Sequence, residues 1–180
     1  MQGPLLRFVE GIDWLSEKLS DVAAWAVFFA CAISAVNAMI RYGFNLGSNA
    51  WLEAQWYLFS VTVFFGAPYL LKLNEHVRVD VLYVRRSGRG KAITDLIGLL
   101  LFYMPVCIAM MLLSWNLFHD SWMQQEMSSS AGGLIRWPVK AIIPIGFFLL
   151  VMQGISEIIK RIAFLRGNYA MDTHYERPLQ

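Results

Sequence analysis

Hydrophobic and polar positions fall into long blocks along this chain. Residues 54–71 carry no charge and are rich in Phe, Leu, Val and Tyr. As a helix that run is about 27 Å long, close to the thickness of a bilayer's hydrocarbon core. Three further runs of the same kind predict four membrane spans, at about 21–41, 52–73, 93–118 and 139–160. Ahead of the first, Leu5, Phe8, Val9, Ile12, Leu15 and Leu19 share one helical face, with Arg7, Glu10, Asp13, Glu17 and Lys18 largely opposite. That spacing predicts an amphipathic helix over 1–20, which either lies on the membrane or grips a partner, or else extends the first span. Residues 167–180 read as a polar tail.

Local chemistry refines each block. The first span is rich in small residues suited to close helix contact, and Asn37 is its one strongly polar group. Trp51 and Trp56 suit an interfacial aromatic belt, as do Trp115, His119 and Trp122 at the far end of the third span. Pro105 predicts a kink in that span. Asp95 stands one turn after Lys91, where an ion pair is expected. The connection from Asp120 to Trp137 contains SSSAGG and reads as irregular. Trp137 and Pro138 then open the fourth helix, with proline at a tolerated early position.

Charge fixes an orientation. The chain is 180 residues long and 57% hydrophobic, with a net charge of only +2, and its mean hydropathy is +0.48. Its basic residues are segregated, which excludes nucleic-acid binding as the meaning of a basic pI. Twelve of the 15 Lys and Arg residues fall in the termini and the central connection, against Arg41, Arg136 and Lys140 on the other side. The positive-inside rule therefore puts both termini in the cytoplasm. Cys31 and Cys107 lie inside apolar runs and read as small buried hydrophobes. The N-terminus lacks the form of a cleavable signal, so the first span is expected to remain.

Several chemistries lack their residues. No span holds a charge away from its ends, so the bundle is expected to have no hydrophilic centre. His76, His119 and His174 lie outside the spans, which argues against haem, and the outer loops hold no cysteine pairs. RRSGRG lacks the spacing of a phosphate-binding loop. Catalysis is not expected, and neither is a cofactor. An accessory membrane subunit is the leading reading. The alternatives are a self-sufficient homo-oligomeric transporter and, behind it, an electron-transfer subunit.

Arg41-Tyr42, Asn45, Trp51, Glu53, Gly66-Ala67 and His76-Val77-Arg78-Val79-Asp80 follow one another in an order that resembles the small membrane subunit of tripartite ATP-independent periplasmic (TRAP) transporters, the DctQ-like proteins. Gly132-Gly133-Leu134, Trp137-Pro138, Pro144-Ile145-Gly146 and Gln153-Gly154 with Glu157 extend the resemblance over roughly residues 20–165. One departure is that Glu53 is followed by Ala54, where members often carry a second acid.

The resemblance implies an all-α fold of four membrane helices, with short interfacial helices and an N-terminal amphipathic helix, in a bacterial inner membrane. It implies two partners: a large membrane subunit on a separate chain, where sodium would bind, and a periplasmic protein that captures the solute, commonly an organic acid. Arg41, Trp51, Glu53, Gly66, His76 and Asp80 become candidates for structural or subunit contacts. Arg41 and Glu53 are expected to bridge and fix the first hairpin, or to meet a partner. Gly66 would permit close helix contact, and Pro68 a bend. Asp80 would cap a short cytoplasmic helix, with Arg85, Arg86 and Arg89 reaching lipid headgroups. His76 and Asp80 have helical metal spacing but no further ligands. Trp122, Gln125, Glu126, Arg136 and Trp137 are the candidates for touching the periplasmic protein.

Overall fold

The computed structural model describes residues 3–74 and 87–170; His76, Asp80, Arg85 and Arg86 lie outside them. Four helices long and apolar enough to cross a membrane make up nearly all of the described chain: α1 (Pro4–Phe44), α2 (Asn49–Leu73), α3 (Gly88–Met123) and α4 (Trp137–Leu165). No strand occurs among the described residues. They run up and down, so the start of α1, the end of α2, the start of α3 and the end of α4 share one end of the bundle, here the terminal end. The α1–α2 turn and the α3–α4 connection form the opposite, loop end.

Helix limits follow local chemistry. Proline occupies the first turn of α1, where its missing N–H costs nothing. Asn45 and Asn74 close α1 and α2 in left-handed conformations, φ 56° and 58°, which asparagine tolerates better than most residues. The Ser87 hydroxyl caps α3 by accepting from the Gly90 N–H at 3.3 Å. Within α3, Leu99–Tyr103 forms a π-helical turn two residues before Pro105. Proline offers no N–H to the preceding turn, and the wider register rearranges the hydrogen bonds around that gap. The amphipathic segment over 1–20 is not a separate element, because α1 is unbroken from Pro4.

α4 is the hub. It packs against α1, α2 and α3, while α1 and α2 pair as a hairpin and α3 reaches the bundle chiefly through α4. Small residues set the spacing. Ala23, Ala26 and Ala30 line the buried face of α1, and a Cβ on Gly66 would sit 3.8 Å from Ala23, an ordinary contact. Two glycines of α4 allow closer approach. A Cβ on Gly146 would collide with the Phe64 side chain, and one on Gly154 would lie 2.8 Å from Tyr103. Without a hydrophobic gradient between helix and lipid, such close packing is what holds membrane helices together. The outward faces remain apolar, notably Trp25, Phe28 and Phe29 on α1 and Leu101, Phe102, Leu112 and Leu113 on α3.

Candidate functional site

Polar side chains collect at the two ends of the bundle. At the loop end the organiser is Glu53, buried in the first turns of α2. Its carboxylate accepts from the Ser128 hydroxyl and, at 2.6 Å, from the Leu134 backbone N–H. The connection it holds is a closed hairpin: Met127 and Ile135 form an antiparallel bridge, and Arg136 N–H donates to Glu126 O at 2.9 Å. Asn49 and Tyr57, both on α2, donate to Ala131 O at 3.0 Å and to Ile135 O at 2.7 Å. Gly133 is required at the point of contact, since a Cβ there would lie 2.6 Å from Ser128 Oγ and 2.8 Å from Glu53 Oε1.

A second pair braces the same connection. Lys140, in the first turn of α4, donates to Glu126, which also accepts from the Ser121 hydroxyl at 2.7 Å. The Lys140 hydrogen bond, and then that of Ser121, hold the Glu126 carboxyl below its ordinary range. Trp122 and Trp137 meet edge to face at 4.3 Å, joining the ends of α3 and α4.

This geometry corrects one expectation. Arg41 and Glu53 do not bridge: Glu53 turns to the α3–α4 connection, whereas Arg41 is exposed and lies over the Tyr42 ring at 5.3 Å. The connection expected to be irregular is so from residue 124 to 136, apart from the Met127 and Ile135 bridge, and Glu53 and Lys140 hold it against the bundle. Of the residues named for contact with a periplasmic protein, Glu126, Trp122 and Trp137 are engaged within the chain, and Gln125 is exposed at φ 49°. Trp51 and Arg89 are exposed.

The terminal end holds a network that crosses all four helices. Lys160 pairs with Asp13 of α1 at 2.7 Å and with Glu157 at 2.8 Å. Its neighbour Arg161 pairs with Glu157 at 2.5 Å, with Asp95 of α3 at 3.3 Å, and donates to the Asn74 side chain at the end of α2 at 2.7 Å. Gln153 donates to Asp13 at 3.0 Å and accepts from Ser16 at 2.8 Å. Arg161 and Glu157 are each 2% exposed and Gln153 fully buried. Buried charges persist only when paired and hydrogen-bonded, and every charge here is. Lys72 and Glu17 add a more exposed bridge between α2 and α1 at 2.5 Å.

The charges at the terminal end thus form a buried network between helices, at one end of the bundle rather than at its centre. Sequence reasoning took Glu157, Lys160 and Arg161 for a charged last turn. The readable signal was their spacing: acid and bases at i, i+3 and i+4 put all three on one face, the face that Gln153 and Ser156 also occupy. Asp95 finds Arg161 across the bundle, a partner that its distance from Lys91 along the chain could not reveal.

Four apolar helices, with their buried charge gathered at the ends, define a multi-pass membrane protein. A family model described as "Tripartite ATP-independent periplasmic transporters, DctQ component" matches residues 30–164. The chain belongs to that family, and it is a membrane component of a transporter. A Haemophilus influenzae protein bearing the name of a TRAP transporter small permease protein is 36% identical over 75 residues, 39% of this chain and 47% of that protein. The match thus spans about half of that relative's length. No solved structure matches the chain significantly.

Proposed function

We propose that the chain is the small, non-catalytic scaffold subunit of a sodium-coupled TRAP importer of an organic acid, in a bacterial inner membrane. The observation that carries this reading is where the polar groups are used. Both end networks close upon the chain's own helices. Between them the hydroxyls of Ser60, Thr62 and Ser114 turn back onto carbonyls of their own helices. A solute carrier needs polar groups aimed at a midplane site, and these groups are aimed at holding four helices in one arrangement. The outward faces are left for lipid and for a larger membrane partner.

In this reading the terminal end is cytoplasmic, following the excess of basic residues there, and the Glu53-held hairpin faces the periplasm. The large subunit, on a separate chain, binds solute and sodium. A periplasmic binding protein delivers the solute and meets the hairpin from outside. Reconstitution tests the proposal. Vesicles holding the large subunit, this chain and the binding protein should take up solute along a sodium gradient, and uptake should collapse when this chain is omitted. Uptake by this chain alone would refute it.

A further inference from the structure

α1 is too long for the membrane it crosses. Its 41 residues extend about 60 Å, twice a hydrocarbon core of about 30 Å. The boundary can be placed, because Lys18 and Asp21 form an exposed ion pair at 3.2 Å on the outside of the helix. Charges facing lipid are costly, so the hydrocarbon begins after Asp21. The first half of α1 therefore projects beyond it.

That projecting half still carries large apolar side chains on its outer surface: Leu5, Phe8, Trp14 and Leu15 are 59%, 39%, 59% and 39% exposed. It cannot fold down onto the membrane. Asp13 is paired with Lys160, Ser16 is bonded to Gln153, and Glu17 is paired with Lys72, so the segment is pinned to α4 and α2 as an upright rod. Phe8 lies about 20 Å from Asp21 along the axis, or about 15 Å for a steep tilt. The headgroup layer adds only about 5–7 Å on each side. Lipid therefore does not cover Phe8 or Leu5.

The same stripe continues into the bilayer. Phe8, Leu15, Val22, Phe29 and Val36 recur every seven residues and are all partly exposed. A seven-residue repeat keeps one face turned toward a neighbouring helix that winds with it. An occupant touching the whole stripe must itself pass through the membrane boundary, which excludes a soluble partner. A second copy of this chain fits poorly. By helical phase Arg7 and Lys18 flank the stripe, while Glu10 and Glu17 lie further round. Two copies inserted in the same direction would set Arg7 against Arg7 at equal depth.

We infer that the Phe8, Leu15, Val22 and Phe29 stripe of α1 is the seat of one long membrane helix of the large subunit. That helix accompanies α1 out of the bilayer at the terminal end and offers a carboxylate to Arg7. The inference rests on the proposed scaffold function and names the surface through which it acts.

The test uses the complete complex, with a photo-crosslinking benzoylphenylalanine placed in turn at Phe8, at Leu15 and, as a control, at Glu10. Phe8 and Leu15 should give adducts with the large subunit, and Glu10 none. Leu15→Asp should reduce recovery of the large subunit with this chain at least tenfold, while the variant stays helical by circular dichroism and inserted in the membrane. Adducts with a second copy, with lipid alone, or with nothing would overturn the inference, as would undiminished recovery of the large subunit with Leu15→Asp. If the unaltered chain recovers the large subunit but crosslinks elsewhere, only the inference falls. If it recovers no large subunit at all, the scaffold reading falls and takes the inference with it.

Discussion

The two ends of the bundle solve one problem by opposite means. At the loop end a carboxylate, Glu53, holds backbone and hydroxyl groups of a connection that would otherwise be free, and the nearby charges stay partly open to solvent. At the terminal end side-chain charges hold one another, buried between helices that are already regular. The first arrangement shapes a surface, and the second decides which helices are neighbours. Removing a group at the loop end should release a local segment. Removing one at the terminal end strands its partners in a low-dielectric interior, so the cost falls on the whole bundle.

The largest expected effect tests the terminal end. Arg161→Met leaves Glu157 and Asp95 without their shared cation, and thermal unfolding in detergent should show a loss of about 3–5 kcal/mol. The double variant Arg161→Met with Glu157→Leu should recover part of that loss, since it removes one of the two carboxylates that Arg161 balances, while Lys160 keeps Asp13. A single variant as stable as the parent would break the contrast between the ends.

Glu53→Ala comes next, and its effect should stay local. Hydrogen exchange should show roughly tenfold less protection at the Leu134 amide, the scale of one charge-assisted hydrogen bond, with the midpoint of global unfolding nearly unchanged. Arg41→Ala should leave both measurements where they were, because Arg41 does not bridge to Glu53. A matching loss from both variants would restore the hairpin bridge that the geometry rejects.

The smallest effect concerns pH. The Glu126 carboxyl is held below its ordinary range, first by Lys140 and then by Ser121. A depressed carboxylate contributes stability that is fully present above its unfolded pKa and is lost as pH falls through the lower, folded value. Hydrogen exchange around the Met127 and Ile135 bridge should therefore be steady at neutral pH and rise only in acid, below the usual carboxylate range. Lys140→Met should move that rise toward neutrality. Loosening that begins near neutral pH in the parent would mean that another group governs the hairpin.

How much was legible in advance varied with the range of the interaction. The four helices were readable because a bilayer imposes length and apolarity on each span separately, and neither depends on what the span touches. An early helical proline such as Pro138 acts within a few positions and was readable for the same reason. The Arg41 and Glu53 pairing failed because proximity along a hairpin suggested the wrong partner. Glu53 reaches Ser128 and Leu134, 75 and 81 positions further on. Gly146 and Gly154 could be noticed as a pattern, but only the facing rings of Phe64 and Tyr103 show why a side chain is excluded there.

The amino-acid order alone determined that this is a four-span membrane protein, and its run of short motifs pointed to the family, because hydropathy and motif order are properties of a single strand. Only the tertiary structure decided that α4 is the central helix, that its Lys160 and Arg161 gather the other three, and that Glu53 belongs to the α3–α4 connection. Charges in a bilayer protein seek any partner that spares them from lipid. Which partner is within reach depends on how the helices pack, and no pattern along the chain encodes that packing by itself.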